Sequence, residues 1–205
     1  NWQETFRPEY ARIREMIIRC HPKSVIALTA TAGRFTRDQI KQDLNLPMAE
    51  FVAETIDRPN LSYETVPRSE NALNAWLGEH RGESGIIFCR SIVTVEHWAH
   101  RLATVSYHGK MPPALRLQNQ ERFMTGASTV MVATNAFGMG INKPDIRWIV
   151  HLDIPTSLDD LCQETGRAGR DGLPSACLAM IPSSFRLQRY LIEAQNPSFD
   201  VIKAV

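Results

Sequence analysis

The stretch Gln163-Glu164-Thr165-Gly166-Arg167-Ala168-Gly169-Arg170-Asp171-Gly172 gathers most of the chemistry-bearing residues of this 205-residue chain. Arg167 and Arg170 are three positions apart, a spacing that puts two guanidinium groups on one side of a helical turn. A guanidinium grips phosphate as a planar, always-charged fork. Aimed at a nucleotide γ-phosphate, it stabilises transition-state charge, an effect worth on the order of 10³ to 10⁵ in rate. Gly166 and Gly169 keep side-chain bulk away, so another surface can come close. Taken alone, the same residues also fit a solvated basic turn paired with Glu164 and Asp171.

Three other short polar segments follow apolar runs. They are Thr29-Ala30-Thr31, Cys89-Arg90-Ser91 and Ala133-Thr134-Asn135, the last leading into the glycine-containing stretch Phe137 to Pro144. Ligands of open parallel sheets bind beyond the carboxyl ends of the strands. Backbone amides and hydroxyls at such exits suit phosphate.

The elements that must position these residues follow from spacing. Pro8 sits at a helix start, and Tyr10, Ile13, Met16, Ile17 and Cys20 recur at helical period until Pro22. A strand is expected at residues 24–30. A helix is expected from the capping box Thr36/Gln39 to about Leu44–Pro47, and a strand over 50–54. The turn cluster Asp57-Arg58-Pro59-Asn60 marks the best domain boundary. Beyond it, strands are expected at 61–66, 85–89, 105–107, 129–133, 147–152 and 176–181. Helices are expected at 69–80, 91–103, 113–125, after Ser157, and at 183–194. Continuously apolar strands alternating with helices predict an α/β parallel sheet covered on both faces.

Composition bounds the rest. At about 150 residues per domain, the length fits one domain and part of another. The balance of 23 basic and 22 acidic residues supplies no global field for nucleic acid, so such a partner must be held by local groups. The four cysteines form no C-x-x-C pair and fit a reduced, cytosolic-type protein with small buried thiols. His97 and His100 lack the thiol or carboxylate companions of a metal site. No apolar run approaches about 18 residues, so no membrane span is expected.

Against this background, Gln163 to Gly172 resembles motif VI of superfamily 2 helicases in the form used by RecQ-family DNA helicases. Val132-Ala133-Thr134-Asn135-Ala136-Phe137-Gly138-Met139-Gly140-Ile141-Asn142-Lys143-Pro144 resembles that family's motif V, and Gly85 to Ser91 its motif IV. Tyr107-His108-Gly109, Ala27 to Ala32, Phe6 to Tyr10 and Asp57 to Asn60 also match family segments. The resemblance implies a RecA-like fold of the P-loop NTPase type. Residues 1–56 would be the incomplete tail of helicase lobe one, 57–195 lobe two, and 196–205 a linker or the start of a following region.

The resemblance further implies an ATP-dependent 3′-to-5′ DNA helicase acting in recombination and repair. ATP and Mg²⁺ would be bound mainly by lobe one of the same chain. The sequence has no G-x-x-x-x-G-K-[ST] and no D-E-x-H box, so this stretch by itself is not expected to hydrolyse ATP. It carries no zinc module. By resemblance, Arg170 is the arginine finger, Arg167 its phosphate or interlobe partner, and Gln163 orders the loop. Gly140 and Asn142 would line the nucleotide cleft. Arg90, Ser91, Thr134 and His108 would contact single-stranded or partly duplex DNA, without reading sequence. Thr29 and Thr31 would couple nucleotide state to lobe geometry. For Ser91 a plain helix cap is the competing role, for His108 an ordinary loop histidine, and Phe137 and Met139 are expected to pack. The compartment implied is cytoplasm or nucleoid in a bacterium and nucleus in a eukaryote. A non-catalytic DNA- or protein-binding module and a superfamily 2 RNA helicase are the alternatives.

Overall fold

A computed structural model of the chain describes residues 12–28, 34–52, 57–138 and 141–182. The chain divides into two compact units, residues 1–57 and 58–205. The first holds α1 (Ile13–Cys20) and α2 (Arg34–Asp43). His21, in the left-handed region at φ 43°, closes α1 ahead of Pro22. Thr36 lies inside α2 rather than capping it. Residues 24–28, expected as a strand, pair with nothing in the described sheet and expose Ile26 and Leu28; 49–52 likewise form no strand. An apolar run becomes a strand only when neighbours take up its backbone groups.

The second unit alternates as expected: β1 (Leu61–Pro67), α3 (Glu70–Glu79), β2 (Ser84–Phe88), α4 (Ile92–Arg101), β3 (Val105–Tyr107), α5 (Pro113–Met124), β4 (Val130–Ala133), β5 (Ile146–His151), α6 (Leu158–Thr165) and β6 (Ser175–Ile181). The strands form one sheet in the order β1-β6-β5-β2-β4-β3, and every pairing is parallel. Side chains alternate between two cores. Ile86, Phe88, Met131 and Ile149 face α5 and its Phe123. Ile87, Val132, Trp148 and Val150 face Leu73 and Trp76 of α3 and Val95 of α4. Each fully buried aliphatic side chain contributes about 1.5–3 kcal/mol.

Local chemistry sets the element ends. Ser69, Ser91 and Ser157 each accept a hydrogen bond from the backbone N–H three residues on, capping α3, α4 and α6. Pro113 opens α5, and Gly126 at φ 78° lies just past its end. β1 departs from the expectation of strands buried on both faces. Only Leu61 is buried and Tyr63 is 59% exposed, because β1 has a single neighbour, β6. The expected helix at 183–194 lies outside the described residues.

Candidate functional site

β2 and β5 are neighbours, yet the chain leaves β2 towards β3 on one side and leaves β5 towards β6 on the other. That is a topological switch point, where the ends of adjacent strands open a crevice. A cavity of about 120 Å³ occupies it, lined among others by Cys89, Arg90, Asn135, Asp153 and Glu164. Asp153, just beyond β5, accepts from Arg68 Nη1 at 2.7 Å and from the Arg90 backbone N–H at 3.0 Å. His151 ends β5, stacks on Phe88 at 5.6 Å, and meets Glu164 with Nε2 2.8 Å from Oε2. Three strand exits are thus tied to one another.

α6 stops at Thr165, so Arg167 and Arg170 are not on a helical turn as their spacing suggested; they lie in the turns that follow. Both reach the glycine-containing loop after β4. Arg167 Nη1 donates to the Gly138 carbonyl at 2.5 Å. Arg170 Nη1 donates to the Ile141 carbonyl at 2.6 Å and to Asn142 Oδ1 at 3.2 Å. Gly138 is glycine for a steric reason: a Cβ there would stand 2.2 Å from Arg167 Nη2. The acids that would have made a self-paired basic turn are engaged elsewhere. Asp171 holds Arg147 at 2.6 Å and Glu164 holds His151. Among the described residues, no carboxylate oxygen lies within 4 Å of either Arg167 or Arg170 as an ion pair.

Burial, and next the neighbouring charge of Arg170, pull the Arg167 guanidinium below its ordinary value, while Glu164 opposes them. A guanidinium starts so high that it stays charged at neutral pH. Two like charges side by side, held by neutral oxygens, favour an anion between or beyond them. Arg170 is the exposed one and Arg167 is 6% exposed. Gln163, four residues before Arg167, is exposed, and so is Asn142, which accepts from Arg170 Nη1.

The turn is held from behind by residues that the sequence marked as a boundary and a family segment, with no role at the site. Arg58 Nη2 donates to the carbonyls of Ala168 at 3.0 Å and Gly169 at 2.8 Å, and Nη1 reaches that of Gly166 at 3.5 Å. Asn60 Nδ2 donates to the carbonyls of Gly169 and Leu173, both at 2.9 Å. Gly169, at φ 54°, would put a Cβ 2.5 Å from Asn60 Nδ2 and 2.8 Å from the Leu173 carbonyl. Its missing side chain makes room for this chain's own turn, not only for an outside surface. The Asp-Arg-Pro-Asn cluster was the visible signal, but nothing in its spacing points 108 residues ahead.

The remaining candidates are scattered among different environments. Arg90 is exposed at the β2 exit. Ser91 caps α4, its Oγ accepting from the Thr94 N–H at 3.0 Å and meeting Thr94 Oγ1 at 2.8 Å. Thr134 is buried, its Oγ1 accepting from the Ala136 N–H at 3.3 Å. His108 is buried against Glu96, with Nε2 2.6 Å from Oε1. Phe137 packs between Tyr107 and Phe123, fully buried. Thr29, Thr31, Met139 and Gly140 lie outside the described residues. Of the cysteines, Cys89 and Cys177 are buried, as their apolar surroundings suggested, and Cys20 and Cys162 are exposed.

Comparison with known proteins agrees with this architecture. Residues 68–172 match the model of the helicase conserved C-terminal domain. The chain is 40% identical over 203 residues to the ATP-dependent DNA helicase RecQ of Pasteurella multocida (strain Pm70), covering 94% of this chain and 32% of that protein. It is 37% identical over 202 residues to the protein of the same name from Bacillus subtilis (strain 168), covering 94% and 34%. The chain therefore spans about a third of the length of these curated relatives. Among solved structures, S. cerevisiae Dbp5 bound to RNA and ADP BeF3 superposes with a TM-score of 0.73 at 20% identity, over 94% of this chain and 53% of that one. That likeness establishes the RecA-like α/β fold. With its sheet order, its switch-point crevice and the matched residues on either side of it, the chain belongs to the helicase conserved C-terminal domain family, with a RecA-like fold and a sequence similar to RecQ helicases over 94% of its length.

Proposed function

We propose that this lobe serves an ATP-dependent DNA helicase by completing, with Arg170, a nucleotide site whose phosphate loop and Mg²⁺ ligands belong to lobe one of the same chain. The observation that carries the reading is the anchoring of Arg167 and Arg170 on the 138–142 loop through carbonyl and amide oxygens. Neither has a carboxylate ion-pair partner among the described residues, and Arg170 is exposed. A cation so held fits the triphosphate of ATP, whose hydrolysis supplies the driving free energy. Arg170 stabilises charge developing on the phosphoryl oxygens. Arg167, more buried, sets the shape of the loop and contributes field, with Gln163 ordering the turn. Asn142 holds Arg170 Nη1, and Gly140 lets backbone come close to the nucleotide. Mg²⁺ is expected on lobe-one carboxylates, and no zinc is expected in this part.

The nucleic-acid partner is single-stranded and partly duplex DNA, tracked 3′ to 5′ during recombination and repair, in the nucleoid of a bacterium or the nucleus of a eukaryote. Arg90, Ser91, Thr134 and His108 contribute at the β2 and β4 exits. Arg90 supplies an exposed charge. The buried Thr134 and His108 act by shaping their loops. Thr29 and Thr31 couple nucleotide state to the geometry between lobes. The ties through Asp153 and His151–Glu164 support such coupling, since they join the Arg90 exit to the arginine turn.

Steady-state ATPase measurements on the full-length protein test the reading. Arg170→Ala should lower DNA-stimulated turnover by at least about 10³ while nucleotide affinity changes far less. Unchanged turnover would dispose of the assigned role. RNA activating as well as DNA would replace the substrate class.

A further inference from the structure

We infer that Arg58 and Asn60 are positioning residues for the arginine turn, and that Arg58, at the start of the unit 58–205, fixes the placement of Arg170. This rests on the reading of Arg170 given above. Arg58 is the first residue of the unit 58–205, immediately after the division from residues 1–57. Its guanidinium spans the carbonyls of Gly166, Ala168 and Gly169. These oxygens belong to the turns that follow α6, and hydrogen bonds from a charged donor are about twice as strong as neutral ones. Asn60 adds two more bonds, to Gly169 and Leu173. Tyr63 on β1 reaches Thr165 Oγ1 at 3.3 Å.

Between them, Arg58 and Asn60 grip the backbone on both sides of Arg167 and of Arg170, and Tyr63 holds the Thr165 side chain. The front of the same turn is held by Arg167 and Arg170 themselves, on Gly138, Ile141 and Asn142. The turn is therefore clamped from both sides, and the rear clamp begins at the residue where the chain passes from one unit to the other. Gly169 needs its left-handed φ to accept the bonds from Arg58 and Asn60.

A conservative change removes the fork and keeps the charge. Arg58→Lys leaves one ammonium where several guanidinium N–H groups served two or three carbonyls. In the full-length protein it should lower the turnover number of DNA-stimulated ATP hydrolysis by about 10- to 100-fold, the scale of a 1 Å misplacement of a catalytic group. KM for ATP should stay within about twofold. Asn60→Ala should act in the same direction and more weakly. The decisive readout is the double variant. If Arg58 works through Arg170, Arg58→Lys should lower turnover by less than about twofold further in an Arg170→Ala background. Full additivity would mean a general packing defect and overturn the inference. Wild-type turnover for both Arg58→Lys and Asn60→Ala, with Arg170→Ala impaired, would also overturn it. Wild-type turnover for Arg170→Ala would instead overturn the underlying reading.

Discussion

Gly138→Ala separates the stability of this lobe from its chemistry. The backbone at Gly138 is not in the left-handed region, so alanine fits it, and shrinking the freedom of the unfolded chain favours folding by about 0.4–1 kcal/mol. The new Cβ, however, would lie 2.2 Å from Nη2 and 2.8 Å from Cζ of Arg167. Ordinary contact needs about 3.4–4 Å. The guanidinium must therefore retreat by roughly 1 Å or more, and its bond to the Gly138 carbonyl at 2.5 Å stretches or breaks. Losing a hydrogen bond to a charged group costs about 1.5–3 kcal/mol. Set against the backbone gain, the net loss is about 1–2 kcal/mol, which lowers the melting temperature of a chain this size by a few degrees. The catalytic loss should be larger, because a misplacement of that size costs up to about 10²-fold in rate. The assay pairs a thermal melt with DNA-stimulated ATPase of the full-length protein. A variant that melts together with wild type and turns over normally would refute the claim that Arg167 and its loop shape the site.

Other perturbations read different parts of the structure. Gly85→Ala should do the opposite of Gly138→Ala: its Cβ would fall 2.0 Å from the Trp148 indole, a buried ring with nowhere to go. Overpacking of this kind costs about 1–3 kcal/mol or more, visible as a clear drop in denaturant midpoint. Ser157→Ala removes the cap of α6 and should cost about 1 kcal/mol in the same measurement. Burial pushes the Cys89 and Cys177 thiols up to about 12 from 9.0, Asp153 reinforcing it at Cys89. At pH 8 a thiol reagent should label Cys20 and Cys162 readily and Cys89 and Cys177 only on unfolding; four equal rates would contradict the buried placement. Since the folded state favours the protonated thiols, their contribution to stability is intact below pH 9 and should be lost as pH climbs from 9 towards about 12.

Most of the sheet was legible because its strands are buried on both faces. Ile86-Ile87-Phe88 and Ile149-Val150 are apolar without interruption, and serine caps at 69, 91 and 157 announce the helices between them. β1 was found but its burial was not, since edge position depends on strand order and not on local composition. The expected strand at residues 24–28 shows the same limit: Val25 to Leu28 has strand composition without a sheet neighbour in the described structure. At the site, the arginines were conspicuous from their type and spacing. What holds them was not. Arg167 meets Gly138 and Arg170 meets Ile141, each 29 positions away, and Arg58 meets Gly169 across 111. Backbone carbonyls carry no sequence signature, so a guanidinium that binds them leaves its partner unmarked. The competing reading of a self-paired basic turn fails at Asp171 and Glu164 for a related reason. Proximity in sequence suggested Arg167 and Arg170, whereas the fold brings Arg147 and His151 closer.

The central claim is that the Arg170 guanidinium acts on nucleotide chemistry. Single-turnover ATP hydrolysis by the full-length protein, saturated with single-stranded DNA and with Arg170 changed to alanine, tests it most directly. The account predicts a chemical step slowed by about 10³ or more with ATP bound as tightly as in wild type, within a few-fold. A chemical step within about threefold of wild type would contradict it.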